Sequence, residues 1–370
     1  MKFSTKDYFA FTSHAAFGSS LRAWIKILAI NKFAVHPYFL PKALFISTAI
    51  VLGIPFRWYE RWKYDKQIKK QIIKQPIFIL GHPRSGTTFI HYLLSKDPKF
   101  TYCTTTEAIL PHLFLGASGI LGPLIGKALP SVRPMDNLKM GSNQPKEEDF
   151  ALVSFGPESL ISGFYFPKNY SSLFHKHVIF DNNEKGKSRW KANFDYFLKK
   201  LSFAHNSKTL LLKSPANTGR VKEILEVYPD AKFIHIHRNP YEVYASNVHL
   251  FEKMLPILSF QKVKKAEITD AIIACYESMY KKFLKDRDLI PKENLVEIAY
   301  ADFVNSPEQT LKSIYAQLSI TGFEEAAPFI REELQVYKDY ETNKFNLNSL
   351  PKAHIAERWK FAFEAFGYKI

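Results

Sequence analysis

Residues 75–89 read Gln-Pro-Ile-Phe-Ile-Leu-Gly-His-Pro-Arg-Ser-Gly-Thr-Thr-Phe, and this stretch decides the fold class. The apolar run 77–80 is typical of a buried strand, and a helical pattern begins at Phe89 after a short loop. A strand, a glycine-containing loop and a helix N-terminus form a common phosphate-binding arrangement, because amide groups and the positive end of the helix dipole face the anion. We therefore predict a phosphate-binding loop over residues 81–88.

The loop differs from the nucleotide P-loop, G-x-x-x-x-G-K-[ST], at one informative position. Thr87 stands where that motif has the lysine that reaches the β- and γ-phosphates. The loop's own cation is Arg84, and Ser85 and Thr88 add further hydroxyl groups. This composition argues against ATP or GTP hydrolysis and favours a 5′-phosphate that carries a small transferable group without a metal ion. A nucleoside or nucleotide kinase on a related fold is the alternative.

A second segment, residues 232–247, offers another anion-binding pair. Residues 233–236 have the pattern of a buried strand, and Arg238 follows closely. Pro240 opens a helix, on which Ser246 lies eight residues after Arg238. An arginine at the end of a strand and a hydroxyl on the next helix can together clamp a second phosphate group.

Together these segments resemble the sulfotransferase superfamily, and the chain is similar to a bacterial member near its tyrosylprotein and carbohydrate branch. The donor of that superfamily is 3′-phosphoadenosine 5′-phosphosulfate (PAPS), and the resemblance covers residues from about 76 to about 330. It implies that the R-S-G-T-T core binds the 5′-phosphosulfate, the later pair binds the 3′-phosphate, and a Tyr-x-Asp tyrosine lies near the adenine. The implied donor-binding residues are Arg84, Ser85, Gly86, Thr87, Thr88, Arg238, Ser246 and Tyr300.

The resemblance also implies catalytic roles for sulfuryl transfer to a hydroxyl group. Arg84 and Lys213, the latter in the Lys-Ser-Pro segment 213–215, would stabilise the phosphosulfate and the charge on the leaving phosphate. A structural salt bridge is the alternative role for Lys213. Glu107, in the segment 103–111, would be the general base that accepts the proton of the acceptor.

Other residues compete with Glu107 for the role of base. Glu148 belongs to the acidic run 147–149, which apolar residues follow at once. His82, His91 and His112 are further candidates, because cytosolic small-molecule sulfotransferases use a histidine. The residues alone therefore leave several proton acceptors open.

From residue 76 onward, short apolar runs alternate with helical patterns. This alternation predicts an α/β protein with a three-layer, P-loop-like fold, in which helices flank a central parallel sheet and the ligand lies at the C-terminal ends of the strands. The predicted strands are 77–80, 209–212, 233–236 and 295–299. The predicted helices are 89–96, 218–227, 240–254, 265–286, 307–318 and 354–364.

Residues 1–75 differ in composition from the rest of the chain, because they are rich in aromatic residues and lysine. We therefore predict a helical N-terminal region there, with membrane association as an option, and the sulfotransferase domain over 76–370. The apolar segment 43–56 has fourteen residues, fewer than the roughly 20 that cross a bilayer, and a Trp/Arg-rich flank follows it. It is interpreted either as a core helix or as a monotopic membrane contact. The apolar stretch 109–130 contains four glycines and three prolines, which argue against one regular helix and favour a buried connection or a mobile wall of the acceptor pocket.

The composition of the chain limits the classes of molecule that it is expected to bind. The net charge of +16 suits an anionic donor or an anionic membrane face, whereas the lysines are too scattered among apolar runs for a nucleic-acid-binding stripe. The two cysteines have no metal-ligand spacing, and the first residues have no secretory pattern, so we expect a cytoplasmic enzyme, with peripheral contact at the inner membrane face as an option. The apolar segments favour a lipophilic alcohol as acceptor, such as a sterol, bile acid or glycolipid; a carbohydrate is the alternative. A non-catalytic membrane-associated protein on the same fold is the remaining possibility.

Overall fold

Five parallel strands form the central sheet of the computed structural model, which describes residues 14–338 and 343–370. These strands are β1 (Ile77–Leu80), β2 (Phe100–Thr101), β3 (Thr209–Lys213), β4 (Lys232–His237) and β5 (Leu295–Ala299). They lie in the order β2-β3-β1-β4-β5, and β1 is therefore central. In register, Ile79 of β1 lies opposite Lys213 of β3 and Ile234 of β4. The C-terminal ends of these three strands are neighbours, so the loops that follow them meet at one edge of the sheet.

The four strands predicted from apolar runs are confirmed, and two of them, 77–80 and 295–299, have the predicted ends. The strands β3 and β4 extend by one or two residues beyond the prediction. The sequence pattern missed β2, because a two-residue strand has no apolar run to show it.

The helices of the described residues are numbered in chain order. They are α1 (Leu21–Ile30), α2 (Leu40–Leu52), α3 (Ile54–Lys69), α4 (Thr87–Leu94), α5 (Thr105–Ile109), α6 (Phe114–Ala128), α7 (Asp149–Leu152), α8 (Ile161–Tyr165), α9 (Tyr170–Phe174), α10 (Glu184–Ala204), α11 (Val221–Leu225), α12 (Pro240–Leu258), α13 (Lys265–Asp286), α14 (Tyr300–Asn305), α15 (Pro307–Gln317), α16 (Phe323–Val336) and α17 (Lys352–Phe366). Short 3₁₀ segments and one π-helical turn (His175–Ile179) connect several of them.

Helices cover both faces of the sheet, which confirms the predicted three-layer α/β fold. One face packs against α4, α15 and α16 through the buried residues Ile77, Ile79, Ile90, Ile234, Ile314 and Ile330. On the other face, the ring of His235 in β4 lies 4.2 Å from that of Phe283 in α13 and 5.5 Å from that of Phe366 in α17, centre to centre. Because both of its faces are buried, the central strand β1 is continuously apolar rather than alternating.

The chain divides into two compact units, each built from separated segments. One unit comprises residues up to 72, 103–206 and 248–272, and it is helical. The other comprises residues 73–102, 207–247 and 273–370, and it contains the whole sheet. The predicted boundary between an N-terminal region 1–75 and a domain 76–370 stays a prediction. Both cysteines, Cys103 and Cys275, are buried thiols rather than a disulfide.

The argument against a regular helix in residues 109–130 was wrong, whereas the interpretation of this stretch as a wall of the acceptor pocket stays a prediction. The helix α6 runs from Phe114 to Ala128 without interruption, with Pro123 and several glycines inside it. The helix packs against α5 at Gly122, which is buried, although an added Cβ would lie at an ordinary contact distance of 3.7 Å from Oγ1 of Thr106. The hydrogen bonds of a fifteen-residue helix and this packing outweigh the one bond lost at proline and the low propensity of glycine.

The apolar segment 43–56 spans the end of α2 and the start of α3, which bend by 43° at Gly53. Ile46 and Ile50 are fully buried, whereas Leu52 and Phe56 are exposed, so the segment has a core side and a solvent side. Among the described residues, no single helix has the length and apolar character needed to cross a membrane, although the bent pair Pro37–Leu52 and Ile54–Lys69 meets these criteria together.

Candidate active site

The loop between β1 and α4 begins with a glycine that no other residue can replace without strain. Gly81 has φ +146°, and an added Cβ would lie 2.5 Å from the carbonyl oxygen of Ile236 in β4. Its N–H donates to Oγ1 of Thr218 at 2.8 Å. The chain therefore leaves β1 in direct contact with the neighbouring strand, and the segment after β3 holds the first residue of the loop.

Two further residues hold the middle of the loop. The amide of Asn247 in α12 donates to the carbonyl oxygen of Pro83 at 2.9 Å. The hydroxyl group of Tyr280 in α13 accepts from the N–H of His82 at 3.3 Å. Within the loop, the N–H of Ser85 donates to the carbonyl of His82, and the N–H groups of Phe89 and Ile90 donate to the carbonyl of Gly86. The N–H groups at the very start of α4 point out of its N-terminal end, as at any helix start. The loop is thus fixed by three neighbouring elements before any ligand binds.

Arg84 and Ser246, which the sequence assigned to two different phosphate groups, are in direct contact. The Nε of Arg84 donates to Oγ of Ser246 at 2.9 Å, although the two residues are 162 positions apart. Arg84 adopts a positive φ of 77°, an uncommon conformation for a residue with a side chain. This strained backbone directs the guanidinium toward α12.

Gly86, Tyr300 and Arg238 form a stack at the end of the loop. Gly86 has φ +99°, and an added Cβ would lie 2.4 Å from Cδ2 of Tyr300. On the same ring, the guanidinium carbon of Arg238 lies 4.4 Å from the ring centre, within the range of a cation–π interaction. The Nε of Arg238 also donates to Oε2 of Glu242 at 2.7 Å, one helical turn further along. Tyr300 therefore orients the arginine that the sequence assigned to the 3′-phosphate.

Lys213 ends β3 beside the start of α4. Its Nζ donates to Oγ1 of Thr88 at 3.2 Å, and the side chain is buried. Ser85 and Thr87 are also buried, so their side chains pack inside the loop. The structure thus brings all eight predicted donor-binding residues and Lys213 together at one edge of the sheet.

This group of side chains fits a nucleotide that carries two phosphate groups. Arg84, Lys213 and Arg238 supply cationic groups, the first turn of α4 supplies amide groups, and Gly86 leaves space where a side chain would collide with Tyr300. Glu242 forms an ion pair with Arg238, so a phosphate bound by Arg238 would lie next to this carboxylate.

Glu107 lies in the helical unit, and both oxygens of its carboxylate accept hydrogen bonds. Oε2 accepts from the N–H of Thr104 at 2.7 Å, while the N–H of Glu107 donates to Oγ1 of Thr104 at 3.2 Å, which completes a capping box at α5. Oε1 accepts from Nε2 of His205 at 2.7 Å. The carboxylate is buried, whereas His205 is partly exposed. Glu107 therefore has a structural role in addition to any chemical one.

The competing carboxylate, Glu148, is fully buried at the start of α7. Its neighbour Asp149 accepts from the N–H of Leu160 at 2.6 Å and from Oγ of Ser159 at 2.8 Å. The acidic run therefore ties two parts of the helical unit together and is not a solvated surface. Burial raises the pKa of the Cys103 thiol well above its usual value, and the negative charges of Glu107 and Glu148 raise it further.

Two of the three candidate histidines, His82 and His91, are buried, and His112 is half-buried. Burial lowers the pKa of His82 to about 3, although a hydrogen bond to the Pro83 carbonyl opposes the shift. Burial and then the charge of Lys200 lower the pKa of His112 to about 3. For His91, burial and then the charge of Lys213 lower the pKa well below its ordinary value. Such imidazoles are weak proton acceptors near neutral pH.

Comparison with known proteins identifies the family of the chain. A model of the sulfotransferase family matches residues 76–325. The chain belongs to the sulfotransferase family. Two curated relatives, from Mycobacterium bovis and Mycobacterium tuberculosis, are each named omega-hydroxy-beta-dihydromenaquinone-9 sulfotransferase Stf3. Each is 30% identical over 353 residues, which cover 95% of this chain and 90% of the relative.

Solved sulfotransferases share the fold. Sulfotransferase STF9 from Mycobacterium avium superposes with a TM-score of 0.74 at 18% identity, over 100% of this chain and 98% of that one. Sulfotransferase STF1 from Mycobacterium tuberculosis H37Rv superposes with a TM-score of 0.65 at 17% identity, over 97% and 93%. Their likeness confirms the P-loop-like sulfotransferase fold.

Sequence reasoning missed several residues that shape this sulfotransferase's loop and its candidate base. Thr218, Tyr280 and Asn247 hold the loop, and His205 contacts Glu107. Of these, only Asn247 adjoins a predicted site residue, Ser246; the others lie far along the chain from the residues they contact. Over residues 14–338 and 343–370, no group of three or more His, Cys, Asp or Glu side chains is arranged to hold a metal ion.

Proposed function

We propose that this sulfotransferase transfers the sulfuryl group of PAPS to a hydroxyl group of a lipophilic acceptor. The observation that carries the donor assignment is the convergence of Arg84, Ser246, Arg238 and Tyr300 around Gly86. The acceptor class is supported by the curated relatives, whose name describes a hydroxylated menaquinone, a lipophilic molecule. A cytoplasmic location with peripheral contact at the inner membrane face belongs to the same proposal.

On the donor side, the first turn of α4 and the loop residues Arg84, Ser85, Gly86, Thr87 and Thr88 would hold the 5′-phosphosulfate. Arg238 and Ser246 would hold the 3′-phosphate, and Tyr300 would lie near the adenine while it supports Arg238. PAPS supplies an activated sulfuryl group whose leaving group is a phosphate. Lys213, held at Thr88, would place positive charge where that phosphate develops charge.

On the acceptor side, Glu107 would accept the proton of the attacking hydroxyl group. Its hydrogen bond from His205 fixes the direction of Oε1 and offers a partly exposed imidazole as a route for the proton to solvent. Glu148 stays the second candidate, because it is a fully buried carboxylate near the same thiol, Cys103. No metal ion is required by this scheme, since positioning and fixed positive charge stabilise the transfer.

The test is a transfer assay with purified protein, in which PAPS or ATP is offered with each of several acceptors. The acceptors are polyprenyl alcohols, a sterol, a bile acid and a glycolipid in detergent, and soluble glycans and phenols. We expect sulfated lipid alcohols and 3′-phosphoadenosine 5′-phosphate as products, with turnover that survives excess EDTA. A preference for soluble glycans would favour the carbohydrate alternative, and phosphorylated products that require ATP and magnesium would favour the kinase. Stabilisation against heat by PAPS without transfer to any acceptor would favour a non-catalytic protein.

A further inference from the structure

The helices α2 and α3 expose large apolar side chains to solvent, although both belong to a packed unit. Trp58 and Trp62 are 75% and 79% exposed, and Leu52 and Phe56 are 68% and 67% exposed. With Leu44 and Tyr59, these residues define what we call the aromatic face. Large aromatic residues are rarely so exposed unless a partner covers them.

The charges around the aromatic face are unequally distributed. Lys42 is the one charged residue of α2, and it is buried, where its Nζ donates to the carbonyl of Ile257 at 2.8 Å. The outward side of α2 therefore has no charge. The next helix, α3, has five basic residues and two acidic ones, and one of the acidic residues, Glu60, is buried in an ion pair with Lys200. Aromatic and basic side chains, among them Trp58, Trp62, Lys66 and Lys69, line a groove on α3.

This combination fits the interface of an anionic bilayer and not its interior. Tryptophan and tyrosine prefer the headgroup level, and lysine and arginine can extend their charges to lipid phosphates. A membrane-spanning arrangement is excluded, because Ile46, Ile50 and Ile68 are buried in the protein and α3 has too many charges for hydrocarbon. A helix pair bent by 43°, with buried isoleucines on one side and exposed apolar, aromatic and basic side chains on the other, suits an orientation in the plane of the membrane.

The buried side of α3 contacts α6, the helix that packs against the one that carries the candidate base. Oε2 of Glu60 accepts from the N–H of Gly116 at 2.9 Å, so α3 meets the first turn of α6. The helix α6 exposes Ile120 and Leu124, and its other side packs against α5, which contains Glu107. The helix α6 thus lies beside both α3 and the helix that contains Glu107, and it exposes apolar side chains of its own.

We propose that the aromatic face binds the surface of an anionic lipid bilayer and that α6 guides a lipophilic alcohol from it toward Glu107. The purpose of this surface depends on the proposed lipophilic acceptor, but its lipid binding does not. Hydrophobic burial of the aromatic side chains and attraction of the basic side chains both contribute to binding.

The test uses the full chain and vesicles of phosphatidylethanolamine and phosphatidylglycerol, with phosphatidylcholine vesicles for comparison. Three of the five tryptophans, Trp24, Trp190 and Trp359, are buried, so quenching by lipids with brominated acyl chains reports mainly on Trp58 and Trp62. We expect flotation with anionic vesicles, quenching of fluorescence, and only partial release by high salt, because buried apolar area remains after charges are screened.

The decisive variant is W58E/W62E, which should lower the partition coefficient at least tenfold. Its matched control is L289E/F329E, which adds the same charge at exposed apolar positions in the other unit and should float like the wild type. All four positions are exposed, so melting temperatures should change little. Equal flotation of both variants, or no flotation of the wild type, would overturn the proposal. So would a lipid-free dimer that W58E/W62E converts to monomer, since a second copy would then cover the face.

Failure of this inference can be distinguished from failure of the proposed function. Sulfation of detergent-dispersed lipid alcohols without any vesicle binding would remove the membrane surface and leave the acceptor class intact. Vesicle binding without sulfation of any lipid alcohol would remove the proposed acceptor, together with the role of α6 as its guide.

Discussion

Replacement of Gly86 by alanine is the most direct test of the donor site, because the structure gives both parts of its cost. The residue has φ +99°, where a side chain costs about 1–2 kcal/mol. The added Cβ would lie 2.4 Å from Cδ2 of Tyr300, so the ring must move by about 1 Å to reach an ordinary contact distance. That movement would disturb the contact of the ring with the guanidinium of Arg238, which is worth about 0.5–2 kcal/mol.

The two costs appear in different measurements. We expect the melting temperature of the protein without ligand to fall by roughly 2–6 °C, because the backbone strain and the collision destabilise the native state. We expect the affinity for 3′-phosphoadenosine 5′-phosphate, measured by calorimetric titration, to fall at least about tenfold, equivalent to about 1.4 kcal/mol, because Arg238 loses its support.

Gly119→Ala is the matched control. Gly119 lies within α6, has no positive φ, and an added Cβ would meet nothing within 4 Å. It should stabilise the protein by about 0.5–1 kcal/mol and leave donor affinity unchanged. If Gly86→Ala kept both the wild-type melting temperature and the wild-type affinity, the assigned roles of Gly86 and Tyr300 would be wrong. A double-mutant cycle with Tyr300→Ala separates collision from strain, since only the collision depends on the ring.

Three further variants test the other parts of the site. Arg238→Ala should weaken PAPS binding by about 1–3 kcal/mol, but it should weaken binding of adenosine 5′-phosphosulfate, which lacks the 3′-phosphate, much less. The control Arg331→Ala breaks an exposed ion pair with Glu308 and should change neither affinity. Equal losses for both nucleotides would contradict the assignment of Arg238 to the 3′-phosphate. Lys213→Met should lower kcat by roughly 10²–10³-fold. The control Lys232→Met removes a different buried lysine, which donates to the Leu318 carbonyl, and it should reduce stability but not kcat. An unchanged kcat in Lys213→Met would leave Lys213 with a structural role only. Glu107→Gln should lower kcat by roughly 10²–10⁴-fold and leave donor affinity unchanged. If Glu107→Gln kept activity within a few-fold of wild type while Glu148→Gln was inactive, the base would lie in the acidic run.

Local patterns predicted the sheet unit well where its strands are buried on both faces. The run 77–80 is wholly apolar because helices cover it, whereas the edge strand 295–299 contains the exposed Glu297 and was found from its remaining apolar residues. The helix 265–286 was also predicted with its observed ends. The pattern failed at α6, because the low helix propensities of Pro123 and the glycines are local terms that do not include the hydrogen bonds and contacts of the complete fifteen-residue helix.

The residues of the candidate donor site could be named from the sequence, but their geometry could not. Arg84 and Ser246 belong to two separate motifs, and their hydrogen bond depends on the backbone conformation of the loop, which the sequence does not display. Thr218 and Tyr280 have no local signal, because each acts through one long-range bond to a loop amide. Among the loop residues, Gly81 indicated from the sequence that another part of the chain lies close to the loop, since a close approach of two backbones often requires glycine.

Glu107 illustrates how one residue can satisfy two interpretations at once. The segment Thr104-Thr-Thr-Glu107 has the S/T-x-x-E pattern of a capping box, and the structure contains both reciprocal bonds. The same carboxylate also holds His205, so one oxygen fixes α5 while the other faces an ionisable partner. A base that is anchored in this way loses little conformational entropy in the transition state, which is an advantage for proton transfer and not evidence against it. The capping box and the proposed base are therefore compatible, and α5 is a rigid support on which the carboxylate is already oriented.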